Sequence, residues 1–212
     1  MPLTALTDLS PPQSSGLAQR FHGAGQDDEQ AAHRVRVGQL AEALARALGM
    51  GAEAAGLLRL AAPLHDVGET DPVDGAEPPW PLTADEERHR LRAQPQRGAA
   101  LLAGSSLPLF TLAAEIALSH HERWDGSGYP QGLRGEAIPL SGRIVAVVDY
   151  FDALTMHRRY RPARADDCAL AMLAEQAGSA FDPTVVAAFL AHATDMIALR
   201  DRIDATRPGA GA

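Results

Sequence analysis

The chain has 212 residues, enough for one domain with a good core and barely for two small ones. Its formal net charge of −8 argues against a broad nucleic-acid or anionic-membrane surface. An anionic small molecule would need a local cationic or metal-lined site. Hydrophobic residues make up 46% of the chain and aromatic ones only 5%, so alanine and leucine must do most of the packing, and both favour helices. The one cysteine, Cys168, excludes an internal disulfide and is expected as a small buried helix residue. No apolar run approaches the ~20 residues of a membrane span. The start lacks a basic segment followed by an apolar core, so the expected compartment is the cytoplasm.

Residues 1–26 are rich in Pro, Ser and Gly and are expected to form a flexible tail, with a second short tail at 204–212. Between them, 27–203 read as one domain. The first helix is predicted from Asp27 or Asp28 to Leu48, with Val37, Leu40, Leu44 and Leu48 inward and Gly49 and Gly51 ending it. A second runs over 52–65 with Leu57, Leu58, Leu60, Ala61 and Leu64 inside; Pro63 should kink it and present His65-Asp66 at a break. An acidic, Pro/Gly-rich loop follows over 68–82. Thr83-Ala84-Asp85-Glu86 then has the form of a capping box. Pro95 is expected to divide that helix from one over 98–103. Further helices are predicted over 107–121, over 140–155 (strongly apolar) and over 166–177. A last one starts at Asp182-Pro183, a cap with proline at the first helical position. No strand alternation persists, so the expected class is all-α.

The chemistry is concentrated in a few segments. His120-His121-Glu122-Arg123-Trp124-Asp125-Gly126-Ser127-Gly128-Tyr129-Pro130 runs adjacent histidines into a Gly-rich turn. Upstream lie His65-Asp66 and His33; downstream, Asp149 interrupts an apolar helix. A buried carboxylate is costly unless paired or metal-bound, and an aspartate can bridge two cations through its two oxygens. Imidazoles and carboxylates delivered from several segments are what a polynuclear metal site needs. His120 and His121, about 100° apart on a helix, can both reach inward only near its end. Glu29 and His33 share a helix face.

In order and spacing these motifs resemble the HD-GYP family of metal-dependent phosphodiesterases, over roughly residues 29–190. The resemblance implies a single HD-superfamily helical bundle with a Gly-rich loop carrying Gly-Tyr-Pro. It implies hydrolysis of cyclic di-GMP, to linear pGpG or GMP, by a hydroxide bridging two metals of a di- or trinuclear transition-metal site. Mixed imidazole and carboxylate ligation suits iron or manganese, with zinc or nickel as alternatives. By this resemblance His33, His65, Asp66, His120, His121 and Asp149 are metal ligands, Asp66 bridges, and Glu29 is a candidate ligand to a third ion. His65 and Asp66 carry the catalysis with Arg158 and Arg161, which align with cationic phosphate contacts. Tyr129 offers the substrate a stacking or hydrogen-bonding surface.

Two departures stand out. The family's His-Pro-x-x-Gly is Gln94-Pro95-Gln96-Arg97-Gly98 here, so a poorer amide donor, Gln94, replaces an imidazole. His89, five residues earlier, lies about 140° round the helix and is a poor stand-in. The family's phosphate-contacting lysine becomes Glu69, where an anion repels phosphate, points to solvent or reaches a metal. These departures keep a second reading open: a degenerate domain of little activity that works by binding nucleotide or protein. The expected partners are cyclic di-GMP or a related nucleotide, signalling proteins such as diguanylate cyclase domains, and a second copy of the chain.

Overall fold

The structure, a computed structural model, describes residues 27–69, 84–156 and 163–206. Residues 1–26 and 207–212 and the Arg158–Arg161 segment lie outside these residues, as does Thr83, the first residue of the expected capping box. Asp204 and Ala205, expected in the C-terminal tail, instead belong to the last helix, where Asp204 pairs with Arg36. The described residues are helical, as expected, with no strand beyond an isolated bridge between Ala177 and Phe181. None of their helices is long and apolar enough to cross a membrane.

Helix α1, Asp27–Ala47, buries Val37, Leu40, Ala41, Leu44 and Ala45 along one stripe, and the chain turns at Gly49 with φ +83°. Helix α2, Ala52–Ala61, packs against it through Ala55, Leu58 and Ala61. Leu60, expected inside, is half exposed because it lies off that face. At Ala62–Leu64 the backbone tightens into a 3-10 turn around Pro63, and a second such turn spans Val67–Glu69. His65 and Asp66 sit between the two, so the expected break is where the pair is presented.

Helix α3, Ala84–Leu102, runs uninterrupted through Pro95, contrary to the expected division. Proline there forfeits one backbone hydrogen bond. Burial of Gln94, Pro95 and Gly98 against the Val67–Glu69 turn and helix α4 holds the helix together across it. Helix α4, Pro108–Ser119, ends with His120 at its C-cap.

Helix α5, Leu140–Thr155, is the central element. It buries Ile144, Val145, Val147, Val148, Phe151 and Leu154, and a helix apolar nearly all round belongs inside. Helix α6, Asp166–Glu175, buries Ala169 and Leu173. Cys168, one residue from that stripe, is exposed rather than buried. Helix α7, Pro183–Ala191, is capped as expected, with Asp182 accepting from the Thr184 N–H at 2.7 Å. It stops at His192, and α8, Ala193–Ala205, continues at a new angle of the backbone. The sequence shows no Gly or Pro at that joint, and one helix was expected. Helix α8 returns to pack on α1.

Candidate metal centre

Four segments deliver side chains to one point: His33 from α1, His65-Asp66 from the break after α2, His120-His121 from the end of α4, and Asp149 from α5. Ligand-capable atoms of His33, His65 and Asp149 lie within 4.8 Å of one another, and those of Asp66, His120 and His121 form a second such group. Asp66 joins the two. Its Oδ2 lies 3.1 Å from His65 Nε2 and its Oδ1 lies 3.3 Å from His120 Nε2. Asp149 Oδ1 is 3.5 Å from His33 Nε2 and 3.8 Å from His65 Nε2.

The other ring nitrogens decide which form the imidazoles take. His65 Nδ1 lies 2.9 Å from the Ala62 carbonyl and His120 Nδ1 lies 3.1 Å from the Ile116 carbonyl. A carbonyl only accepts, so each Nδ1 donates and each neutral ring turns a lone pair outward at Nε2. Both Nε2 atoms are buried, and neither has a hydrogen-bond partner. An unsatisfied buried polar atom costs about 1–3 kcal/mol. Two of them beside the same carboxylate fit a site for divalent cations. Imidazoles mixed with carboxylates are a donor set for transition metals rather than magnesium.

Without a cation, protons take over the work of compensation. Burial opposes a charge on His65, yet Asp66 and Asp149 push its pKa up to about 9. Burial likewise opposes the charge on Asp66, and His65 and His120 outweigh it, holding the carboxyl far below its ordinary range. His121 is driven down to about 3 by burial and then by its neighbour His120, which keeps it neutral and able to bind metal.

The Gly-rich segment is tied down beside this cluster. Glu122 is buried and accepts from the N–H groups of Gln131, 2.7 Å, and Leu133, 3.0 Å. Gly128 folds so closely onto Arg123 that a Cβ would come within 2.3 Å of its nitrogen. Tyr129, which precedes a cis Pro130, stacks on His121 with ring centres 4.9 Å apart.

The remaining expected site residues are placed as follows. Glu29 joins neither group; its Oε1 accepts from Arg36 at 3.0 Å. Gln94 is buried on α3, next to the Val67–Glu69 turn, and His89 is exposed. Glu69 is exposed at the rim, but its carboxyl is desolvated enough, and near enough to Asp66 and Asp149, for its pKa to be raised. Arg158 and Arg161 fall outside the described residues.

Sequence reasoning missed three residues: Glu122, Arg36 and Asp152. Asp149, expected as the badly placed buried carboxylate of α5, is partly open, whereas Asp152 one turn later is fully buried. The i, i+3 spacing of His33 with Arg36 on α1, and of Asp149 with Asp152 on α5, puts each pair on one face, but that spacing alone does not mark a buried ion pair.

Comparison with known proteins gives the family. The HD domain family model matches residues 3–185. The cyclic di-GMP phosphodiesterase response regulator RpfG of Xanthomonas campestris pv. campestris is 47% identical over 156 residues, covering 73% of this chain and 41% of that protein. A cyclic di-GMP phosphodiesterase of Vibrio cholerae is 43% identical over 187 residues, 82% of this chain and 38% of that protein. A crystal structure of a cyclic GMP-AMP specific phosphodiesterase of V. cholerae, V-cGAP3, superposes with a TM-score of 0.62 at 20% identity, over 84% of this chain and 49% of that one. The chain belongs to the HD domain family, in its HD-GYP form. It spans about two fifths of the length of the two curated relatives.

Proposed function

We propose that this chain is a metal-dependent phosphodiesterase that hydrolyses cyclic di-GMP to pGpG or GMP. The observation that carries the reading is the pair of buried, unpartnered Nε2 lone pairs of His65 and His120, one facing each oxygen of Asp66. His33, His65 and Asp149 would hold one ion, His120 and His121 another, and Asp66 would reach both. Ions held there supply positive charge to a phosphodiester and acidify water at neutral pH. Iron or manganese suits the donors best. The chain's own contribution is geometric: Ala62 and Ile116 carbonyls orient two imidazoles, Glu122 anchors the Gly-rich loop, and Tyr129 braces His121. Arg158 and Arg161 complete the reading as phosphate contacts, and Gln94 as a weak donor in place of the family's imidazole. The names of the curated relatives support cyclic di-GMP as the substrate. The reading includes action in the cytoplasm, with diguanylate cyclase domains or a second copy of the chain as partners.

A second reading, a binding domain of little activity, is favoured by one observation. Glu69 adds a carboxylate to a rim already facing Asp66 and Asp149. Incubating the manganese-loaded protein with cyclic di-GMP and separating the products decides between them. Release of pGpG or GMP, lost on chelation, supports the first; binding of intact cyclic di-GMP without product supports the second.

A further inference from the structure

Arg36 is buried to 2% exposure, the most buried arginine in the described structure, and every arm of its guanidinium is used. Nε donates to Asp152 Oδ1 at 2.6 Å and Nη2 to Asp152 Oδ2 at 3.1 Å, a two-pronged clasp on one carboxylate. Nη1 reaches Asp204 on α8 at 2.7 Å, and Nη2 also reaches Glu29 at 3.0 Å. Asp152 is wholly buried, and its Oδ2 has one further contact: His33 Nδ1, at 2.7 Å.

An ionised carboxylate only accepts, so His33 must donate from Nδ1. Its Nε2 lone pair then faces Asp149 Oδ1, 3.5 Å away. A fully buried charged pair is a weak source of stability, since desolvating both ions offsets their attraction. Fixing an imidazole's tautomer and ring orientation is a use that repays the arrangement.

We propose that Asp152 and Arg36 are positioning residues that set His33, and through it one of the two metal positions. Asp152 selects the His33 tautomer that offers Nε2 to a cation. Arg36 clasps both Asp152 oxygens and so fixes the direction from which Asp152 accepts. Asp204 brings the last helix into the same chain of contacts. The inference rests on the metal-binding reading above. It further separates two ions that reading treats alike: the position built from His33, His65 and Asp149 depends on Asp152, and the one built from Asp66, His120 and His121 does not.

Manganese binding, followed by electron paramagnetic resonance and by stepwise titration, tests this in wild type, Asp152→Asn and Arg36→Lys. Asparagine cannot accept on both sides, so it disturbs either the clasp or the His33 contact. Lysine keeps the charge but cannot grip two oxygens. Both variants should weaken one manganese by roughly 10–100-fold, the range typical for loss of a carboxylate behind a metal-bound histidine. The other ion should bind as in wild type, and the signal of two coupled ions should give way to that of one. Two unchanged affinities in either folded variant would overturn the proposal. So would equal weakening of both ions together with a lower melting temperature of the metal-free protein, which marks a merely structural role. A wild type that binds no manganese would instead defeat the metal reading itself.

Discussion

Gly68 packs directly on the backbone of Gln94: a Cβ at Gly68 would come within 2.1 Å of the Gln94 carbonyl oxygen and 2.6 Å of the Gly98 nitrogen. The Val67–Glu69 turn, which directly follows His65-Asp66, is therefore seated on α3 beside its proline, with only hydrogen at the contact. The two departures from the family pattern, Glu69 and Gln94, are thus close in space although they are 25 positions apart in sequence.

Gly68→Ala should accordingly be among the more damaging single-methyl changes in this chain. Over-filling a packed contact costs roughly 1–3 kcal/mol, and here the obstacle is backbone rather than a flexible side chain. Urea unfolding of the metal-free protein should show a midpoint lowered to match. An unchanged midpoint would mean that α3 can move away from the turn at no cost.

Gln94→His should raise metal occupancy, most visibly at low metal concentration, because Gln94 is already buried beside the turn that directly follows the expected ligands His65 and Asp66. Imidazole is the better donor to a transition metal. Elemental analysis of both proteins after dialysis against limiting manganese measures this. Equal occupancy would show that Gln94 or another group already completes the site.

Glu69→Lys should raise turnover of cyclic di-GMP at matched metal content. Glu69 is exposed at the rim, and its raised pKa reflects partial desolvation and the charge of Asp66. Restoring a cation where a phosphate approaches should be worth ~10–10³ in rate, up to the span seen when a single charge-stabilising donor is lost. Unchanged turnover with metal retained would place Glu69 away from the substrate. Loss of metal from the variant would make Glu69 a ligand.

Metal affinity should rise with pH. The His65 pKa, 6.5 when free, is pushed up to about 9 in the metal-free site, so a cation must displace a proton there. Below pH 9 the affinity should gain up to about tenfold per pH unit for that one proton. The linked stability has the opposite sign. The stabilising charge of His65 is fully present below pH 6.5 and is lost as pH rises through about 9. Manganese titrations between pH 6.5 and 8.5 check the first statement, and a flat profile would contradict it.

What could be read in the sequence was local. The helices over 27–48 and 140–155 announce themselves by apolar spacing, and the structure forms Asp27–Ala47 and Leu140–Thr155. Pro63 marks the break that presents His65-Asp66. The residues of the two groups that the structure assembles, His33 with His65 and Asp149, and Asp66 with His120 and His121, were those that the family resemblance implied as ligands. What escaped was tertiary. Arg36 and Asp152 read as ordinary polar residues until two helices bring them together, 116 positions apart, and no local pattern separates a buried ion pair from a solvated one. Pro95 misled because proline usually ends a helix, and here packing on Gly68 and Gly98 overrides that tendency. The joint at His192 lies between two alanines, with nothing in the sequence to mark it.

The central claim is that Asp66, with His65 on one side and His120 on the other, reaches two bound cations. Its most direct test is the metal content of the purified protein after manganese or iron loading, beside Asp66→Ala. The account predicts at least one ion per chain in wild type, a sharp fall in the variant, and loss of the stabilisation that metal confers. A wild type free of metal, or a variant with the same metal content and the same stability, would contradict it.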